Sequence, residues 1–220
     1  MSVQSLTRSL LAPLTRAWLR PVVEGRDHVP RSGPVILAAN HLSVVDSFVI
    51  PLVAPRSVAF LAKEEYFTRP GVVGSLVRTG LEAVDAVPVP RGAHRAAQAA
   101  LDVALGLLEQ GRAFGIHPEG SRSRDGRLYR GRTGVAWLAL ASGAPVVPVG
   151  LIGTQRVQPI GTRLPRPVRI TVRFGAPLTF PAAQVGPAQA RRAVTDEIMA
   201  AIRDLSGQEV AAGYNELSAP

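Results

Sequence analysis

Short apolar runs alternate along this chain with longer segments of helical period. That alternation constrains the fold more than any other feature. After Pro21, "PVILAA" (34–39), "SVAFLA" (57–62), "AVDAVPV" (83–89), "RAFGIH" (112–117), "PVVPVGLI" (145–152) and "VRITVRF" (168–174) read as strands. Between and after them lie helical segments at 94–110, stopped by Gly111, at 134–142, stopped by Gly143, and at 188–205. Strands that are apolar on both faces must be covered on both. The alternation therefore predicts an α/β fold with a largely parallel sheet flanked by helices. Proline cannot donate to a ladder, so Pro88 sends the 83–89 strand to an edge or ends it early.

The chain has 220 residues, of which 46% are hydrophobic, enough for one cored domain. Its predicted extent is 21–205, with an N-terminal helical segment at 1–20 and a flexible tail at 206–220. In the first segment Val3, Leu6, Leu10, Leu14, Ala17 and Trp18 recur at helical spacing with Arg8, Arg16 and Arg20 among them. Pro13 should kink it. A basic amphipathic helix with a Trp suits a membrane interface, and equally a helix packed on its own domain. No run approaches the ~20 apolar residues of a membrane span. The net charge of +9 favours an anionic partner, while an aromatic content of 5% disfavours nucleic acid, which needs stacking platforms. The chain has no cysteine, which removes thiol nucleophiles and disulfides.

In parallel α/β sheets, ligands sit beyond the carboxyl ends of the strands. His41, Glu119 and Arg91 each lie just past one predicted strand, so they converge on one rim. The sequence lacks G-x-S-x-G, G-x-G-x-x-G, P-loop and H-E-x-x-H signatures, which argues against serine-triad, dinucleotide, NTPase and zincin chemistry. In "NHLSVVDS" (40–47), His41 and Asp46 meet if His41 precedes a helix and Asp46 lies in its first turn. The carboxylate then orients one ring nitrogen and leaves the other as a base. That is a base and its orienter without a serine, suited to a nucleophile carried by the substrate. The blander alternative is a helix-start aspartate beside a core histidine. "GIHPEGSRSRDGR" (115–127) combines glycines, serines, arginines and Glu119 after a strand. It reads as a phosphate-binding loop or as a basic surface turn.

Taken together, the blocks resemble one family. "NHLSVVD" (40–46) resembles the N-H-x4-D motif of the 1-acylglycerol-3-phosphate (PlsC-like) glycerolipid acyltransferases, and "HPEGSRS" (117–123) resembles their F-P-E-G-T-R-S block. "VPVPR" (87–91), "APVVPVGLIGT" (144–154) and "LAKEEYF" (61–67) resemble three further blocks, in order, over roughly residues 25–180. Three departures stand out: His117 replaces the usual Phe, Ser121 replaces Thr, and Asp85 stands where a glycine usually precedes the arginine of the second block. The last puts the shape of the acceptor end in question.

The resemblance implies the glycerolipid acyltransferase fold, a mostly parallel mixed sheet flanked by helices. It implies transfer of a fatty acyl group from acyl-CoA or acyl-carrier protein to the free hydroxyl of a lysophospholipid, foremost lysophosphatidic acid. His41 would be the general base and Asp46 its orienter. Lys63, Arg91 and Arg122 would neutralise the acceptor phosphate, and Glu119, Gly120 and Ser121 would belong to the acceptor pocket. Glu119 would bond the glycerol hydroxyl. Lys63 is the sole lysine among 25 basic residues, consistent with a needed ammonium or with chance. No metal and no resident cofactor are expected, and no nucleic acid. Partners would be the lysophospholipid, the acyl thioester or its carrier protein, and a membrane surface, with the enzyme peripheral on the cytoplasmic face. Another lipid acceptor, such as lyso-ornithine lipid or a lysophosphoinositide, and a non-catalytic binding module are the alternatives.

Overall fold

The computed structural model describes residues 13, 17–83, 85–89, 93–159, 162, 165–181 and 187–215. Its strands are β1 (Val22–Glu24), β2 (Val35–Ala39), β3 (Val58–Lys63), β4 (Ala86–Val89), β5 (Ala113–Ile116), β6 (Val146–Ile152) and β7 (Thr171–Phe174). Its α-helices are α1 (Asp46–Val53), α2 (Glu65–Thr68), α3 (Gly71–Ala83), α4 (Ala93–Glu109), α5 (Gly134–Ser142) and α6 (Ala188–Ser206). The strands form one seven-stranded sheet in the order β1-β7-β6-β2-β5-β3-β4. Every pairing is parallel except β6 with β7. The α/β expectation is met, and β4, which carries Pro88, is an edge strand.

β2 lies at the sheet centre, between β6 and β5, and all five of its residues are buried. Its side chains divide by the two-residue period of a strand. Val35, Leu37 and Ala39 face a core layer with Val49, Ile50 and Val53 of α1. Ile36 and Ala38 face the opposite layer, built by Ala104, Leu107 and Leu108 of α4, Val135 and Leu138 of α5, and Ile198 and Ile202 of α6. Helices on both faces explain why this strand is an unbroken apolar run.

Parallel pairing puts the carboxyl ends of β2, β3, β4, β5 and β6 on one rim. Asp85 is on the other. It precedes β4, has φ +60°, and binds Arg112 at 2.7 Å and Ser57 at 3.1 Å, at the starts of β5 and β3. The left-handed backbone explains why glycine suits this position, and aspartate is among the residues that tolerate it. The expected effect of Asp85 on the acceptor end is therefore corrected: the residue sits at the far rim.

Helix α6 ends at Ser206, where the tail is expected to begin, and backbone hydrogen bonds continue beyond it. Leu128 N–H donates to Glu209 O at 2.8 Å, Ala211 N–H to Leu128 O at 2.9 Å, and Arg130 N–H to Gly213 O at 2.9 Å. The segment runs beside the 126–130 loop, with Ala211 buried. Residues 216–220 and most of 1–20, with the expected N-terminal amphipathic helix, lie outside the described residues. Of that segment, Leu19 is buried in the core and Trp18 is exposed. Among the described residues, no helix is long and apolar enough to cross a membrane.

Candidate active site

The rim between β2 and β5 carries the polar residues. Asn40 follows β2 and is fully buried. Its amide accepts from Leu151 N–H at 2.7 Å and donates to Leu151 O at 2.9 Å, which locks the end of β2 to β6. Asn40 Nδ2 also donates to Gln208 Oε1 at 2.7 Å, and Gln208 Nε2 donates to Gly126 O at 2.7 Å. The C-terminal segment thus bridges the two motif-bearing loops.

His41 and Asp46 do meet, as the spacing predicts. Asp46 is the first residue of α1, and His41 lies in the loop before it. Asp46 Oδ2 is 3.0 Å from His41 Nδ1 and also accepts the N–H groups of Leu42 and Ser43, each at 2.7 Å. A carboxylate only accepts when ionised, so Nδ1 carries the proton and Nε2 is the free base. Among the described residues Nε2 has no hydrogen-bond partner. The His41 side chain is 17% exposed and that of Asp46 0%: the imidazole is reachable and the carboxylate is not.

Glu119 is fully buried. Its Oε1 accepts His41 N–H and its Oε2 accepts Tyr129 N–H, both at 2.9 Å. Ser123 N–H donates to His41 O at 2.7 Å. The backbone of His41 is therefore gripped at both its N–H and its carbonyl by the 119–123 loop. Burial pushes the Glu119 carboxyl up to about 7, against the lowering effect of the Tyr129 and His41 amides. Both of its oxygens accept from backbone donors, so it braces the loop.

Gly120 has φ +79°, and a Cβ there would stand 2.8 Å from Arg132 Nε. Glycine is required both by the left-handed backbone and by that close approach. The Ser121 hydroxyl is buried without a hydrogen-bond partner among the described residues. Arg122 is exposed. The carbonyls of Ser121 and Arg122 accept Asn215 Nδ2 at 3.3 and 3.0 Å. Lys63 closes β3 on the same rim, in register with Val89. Arg91 lies outside the described residues.

Several contributors carried little or no sequence signal. Gln208 and Asn215 sit in a stretch that reads as a polar tail. Tyr129 and Ser123 act through main-chain N–H groups, which no side-chain pattern reports. Asn40 adjoins His41 and was legible only as a neighbour. No group of three or more His, Cys, Asp or Glu among the described residues is arranged to hold a metal ion.

The chain is similar to several known proteins. The 1-acyl-sn-glycerol-3-phosphate acyltransferase of Limnanthes douglasii is 32% identical over 157 residues, 71% of this chain and 53% of the relative. The enzyme of the same name from Borreliella burgdorferi is 30% identical over 138 residues, 63% of this chain and 53% of that protein. The chain thus spans about half the length of these curated relatives. Among solved structures, the 1-acyl-sn-glycerophosphate acyltransferase PlsC of Thermotoga maritima superposes with a TM-score of 0.68 at 25% identity, covering 93% of this chain and 81% of that one. The Acyltransferase family model matches residues 20–152, a span that includes β2, the His41–Asp46 pair and the Glu119 loop, and the chain therefore belongs to the Acyltransferase family.

Proposed function

We propose that the protein transfers a fatty acyl group from a thioester, acyl-CoA or acyl-carrier protein, to the free hydroxyl of a lysophospholipid, with lysophosphatidic acid giving phosphatidic acid as the leading case. The observation that carries the reading is the His41–Asp46 pair, a buried carboxylate fixing Nδ1–H at 3.0 Å and leaving Nε2 free as a base on a side chain that is partly exposed. The names of the relatives and the superposition on PlsC support the substrate class.

His41 Nε2 takes the proton of the acceptor hydroxyl, and the oxygen attacks the thioester carbonyl. The C–O bond forms, the C–S bond breaks, and the departing thiolate takes the proton back from the imidazolium. Asp46 stabilises that imidazolium and holds its tautomer. The nucleophile belongs to the substrate, so the chain itself supplies none. Lys63, Arg91 and Arg122 neutralise the acceptor phosphate, with Gly120 and Ser121 shaping the loop beside it. The donor is a substrate, and the reaction requires no resident cofactor. A net charge of +9 suits a peripheral enzyme on the anionic cytoplasmic face of a membrane.

The test is thiol release from palmitoyl-CoA or oleoyl-CoA, with and without lysophosphatidic acid, run beside His41→Ala. Acceptor-dependent release that collapses in the variant supports both reaction and base. Release without acceptor would mean a thioesterase. No release with any lysolipid or carrier would leave a binding module.

A further inference from the structure

His117 departs from the phenylalanine of its family block, and its ring lies against the proposed base. The rings of His41 and His117 are parallel to within 7°, with centroids 4.0 Å apart. Three contacts fix His117 itself. Its Nδ1 is 3.2 Å from Ala39 O and 3.1 Å from Asn40 O, the two carbonyls that precede His41. Its Nε2 is 3.2 Å from Ser47 Oγ, one residue after Asp46. Carbonyls only accept, so Nδ1 carries the proton and Nε2 accepts from the Ser47 hydroxyl. The Phe60 ring closes on the same histidine, tilted, at 5.5 Å. Gly115 leaves the space that Phe60 occupies, since a Cβ there would overlap that ring.

Asp46 holds His41 at one atom, Nδ1. A single hydrogen bond leaves the ring free to rock about that contact, and a face-to-face neighbour removes the freedom. We infer that His117 is a positioning residue for His41: its ring is the platform that sets the plane of the base, and its bonds to the Ala39 and Asn40 carbonyls and to Ser47 tie that platform to β2 and α1. The inference rests on the reading of His41 as the base. A phenylalanine supplies the same face without the ties.

The platform must stay neutral while His41 gains a proton, because two cations 4.0 Å apart would repel. Burial, and then the neighbouring His41, pushes the His117 pKa down to about 3. Among the described residues, the titratable groups with the largest effect on it are His41 and Asp46, and its hydrogen-bond and ring partners are the Ala39 and Asn40 carbonyls, the Ser47 hydroxyl and Phe60.

Three variants separate face from ties. His117→Phe keeps the face, Ser47→Ala removes one tie, and His117→Ala removes the face. Imprecise placement of a catalytic group costs rate, so kcat is expected to fall about tenfold in His117→Phe and about a hundredfold in His117→Ala, with KM for both substrates within about twofold. Ser47→Ala, which leaves the rings in place, is expected to lower kcat about threefold. Long-range 1H–15N spectra of the four histidines supply a readout independent of turnover. The His117 signals should keep the Nδ1–H neutral pattern from about pH 5 to 9, and the His41 ring signals should move in His117→Ala. Wild-type kcat in both His117 variants, or unmoved His41 signals in folded His117→Ala, overturns the inference. An inactive wild type, or a fully active His41→Ala, overturns instead the reading of His41 as base, and the spectra still decide the stacking.

Discussion

Glu119 holds the main chain of His41: the carboxylate that follows β5 accepts, at 2.9 Å, the N–H of the histidine that follows β2. Since β2 and β5 are neighbouring parallel strands, their carboxyl ends deliver both motifs to one place. Glu119 then fixes the backbone of His41, Asp46 fixes its Nδ1, and the ring of His117 lies along its face. His41 is thus located by groups from two stretches of chain, the start of α1 and the 117–119 segment that follows β5. Each uses a different contact, so the loss of each should leave a distinct signature.

Asp46→Asn should lower kcat about a thousandfold or more, by analogy with the loss of an orienting carboxylate in hydrolase triads, with little change in KM. An amide can present its NH2 to His41 Nδ1 and reverse the tautomer. It also weakens the bonds from Leu42 and Ser43 N–H, now 2.7 Å each, so stability should fall by about 1–3 kcal/mol. Steady-state kinetics and urea unfolding check the two effects separately. Unchanged kcat would remove Asp46 from the mechanism.

Glu119 gives a pH signature of definite sign. Its folded pKa is raised by burial from 4.5 to about 7. Between those values the folded state holds more protons than the unfolded state, so this group makes stability fall as pH rises through that window. Glu119→Gln removes the titration, and its unfolding free energy should be flatter from about pH 4.5 to 7. The variant also sets an NH2 against one backbone N–H, so it should be less stable than wild type at the acid end. Denaturant unfolding at several pH values tests both, and parallel pH curves for the two proteins would contradict the assignment.

Much of this was legible in the sequence, for physical reasons. β2 is buried on both faces and so appears as an unbroken apolar run, while α5 ends at Gly143, where the sequence placed its stop. The His41–Asp46 pair was readable because both residues belong to one turn between a strand and a helix. What the sequence did not show was long-range. Gln208 reaches Asn40 across 168 residues, and Asn215 reaches Ser121 across 94. No local periodicity marks such contacts. Helix α3 also went unread: "GVVGSLVRTGLEA" carries three glycines, which dilute its helical period. Asp85 was read as a question about the substrate because its backbone angle and its place on the far rim appear only in three dimensions.

Asp85→Gly should therefore leave the acceptor profile unchanged. The substitution relieves a φ of +60° but removes the partners Arg112 and Ser57. The two effects oppose each other, each on the order of 1 kcal/mol, so the net change in unfolding free energy should stay below about 2 kcal/mol. A panel of lysolipid acceptors, compared by kcat/KM between wild type and variant, is the check. A changed ranking of acceptors would mean that the far rim communicates with the site.

Asn215→Ala should act on the acceptor end. Its side-chain N–H group binds the carbonyls of Ser121 and Arg122 at 3.3 and 3.0 Å, and the residue is only 9% exposed. Without it the loop carrying Arg122 loses its tie to the C-terminal segment. Two carbonyls then lose this donor, at a cost of about 1 kcal/mol in stability. If Arg122 contacts the acceptor phosphate, a looser loop weakens binding more than chemistry. KM for lysophosphatidic acid should rise about threefold to tenfold, while KM for the acyl thioester holds and kcat falls by less. Arg122→Ala supplies the reference, and the double variant should show little further rise in KM, because both changes disable the same contact. Additive effects would separate Asn215 from Arg122 and reduce the C-terminal segment to a fastening of the fold.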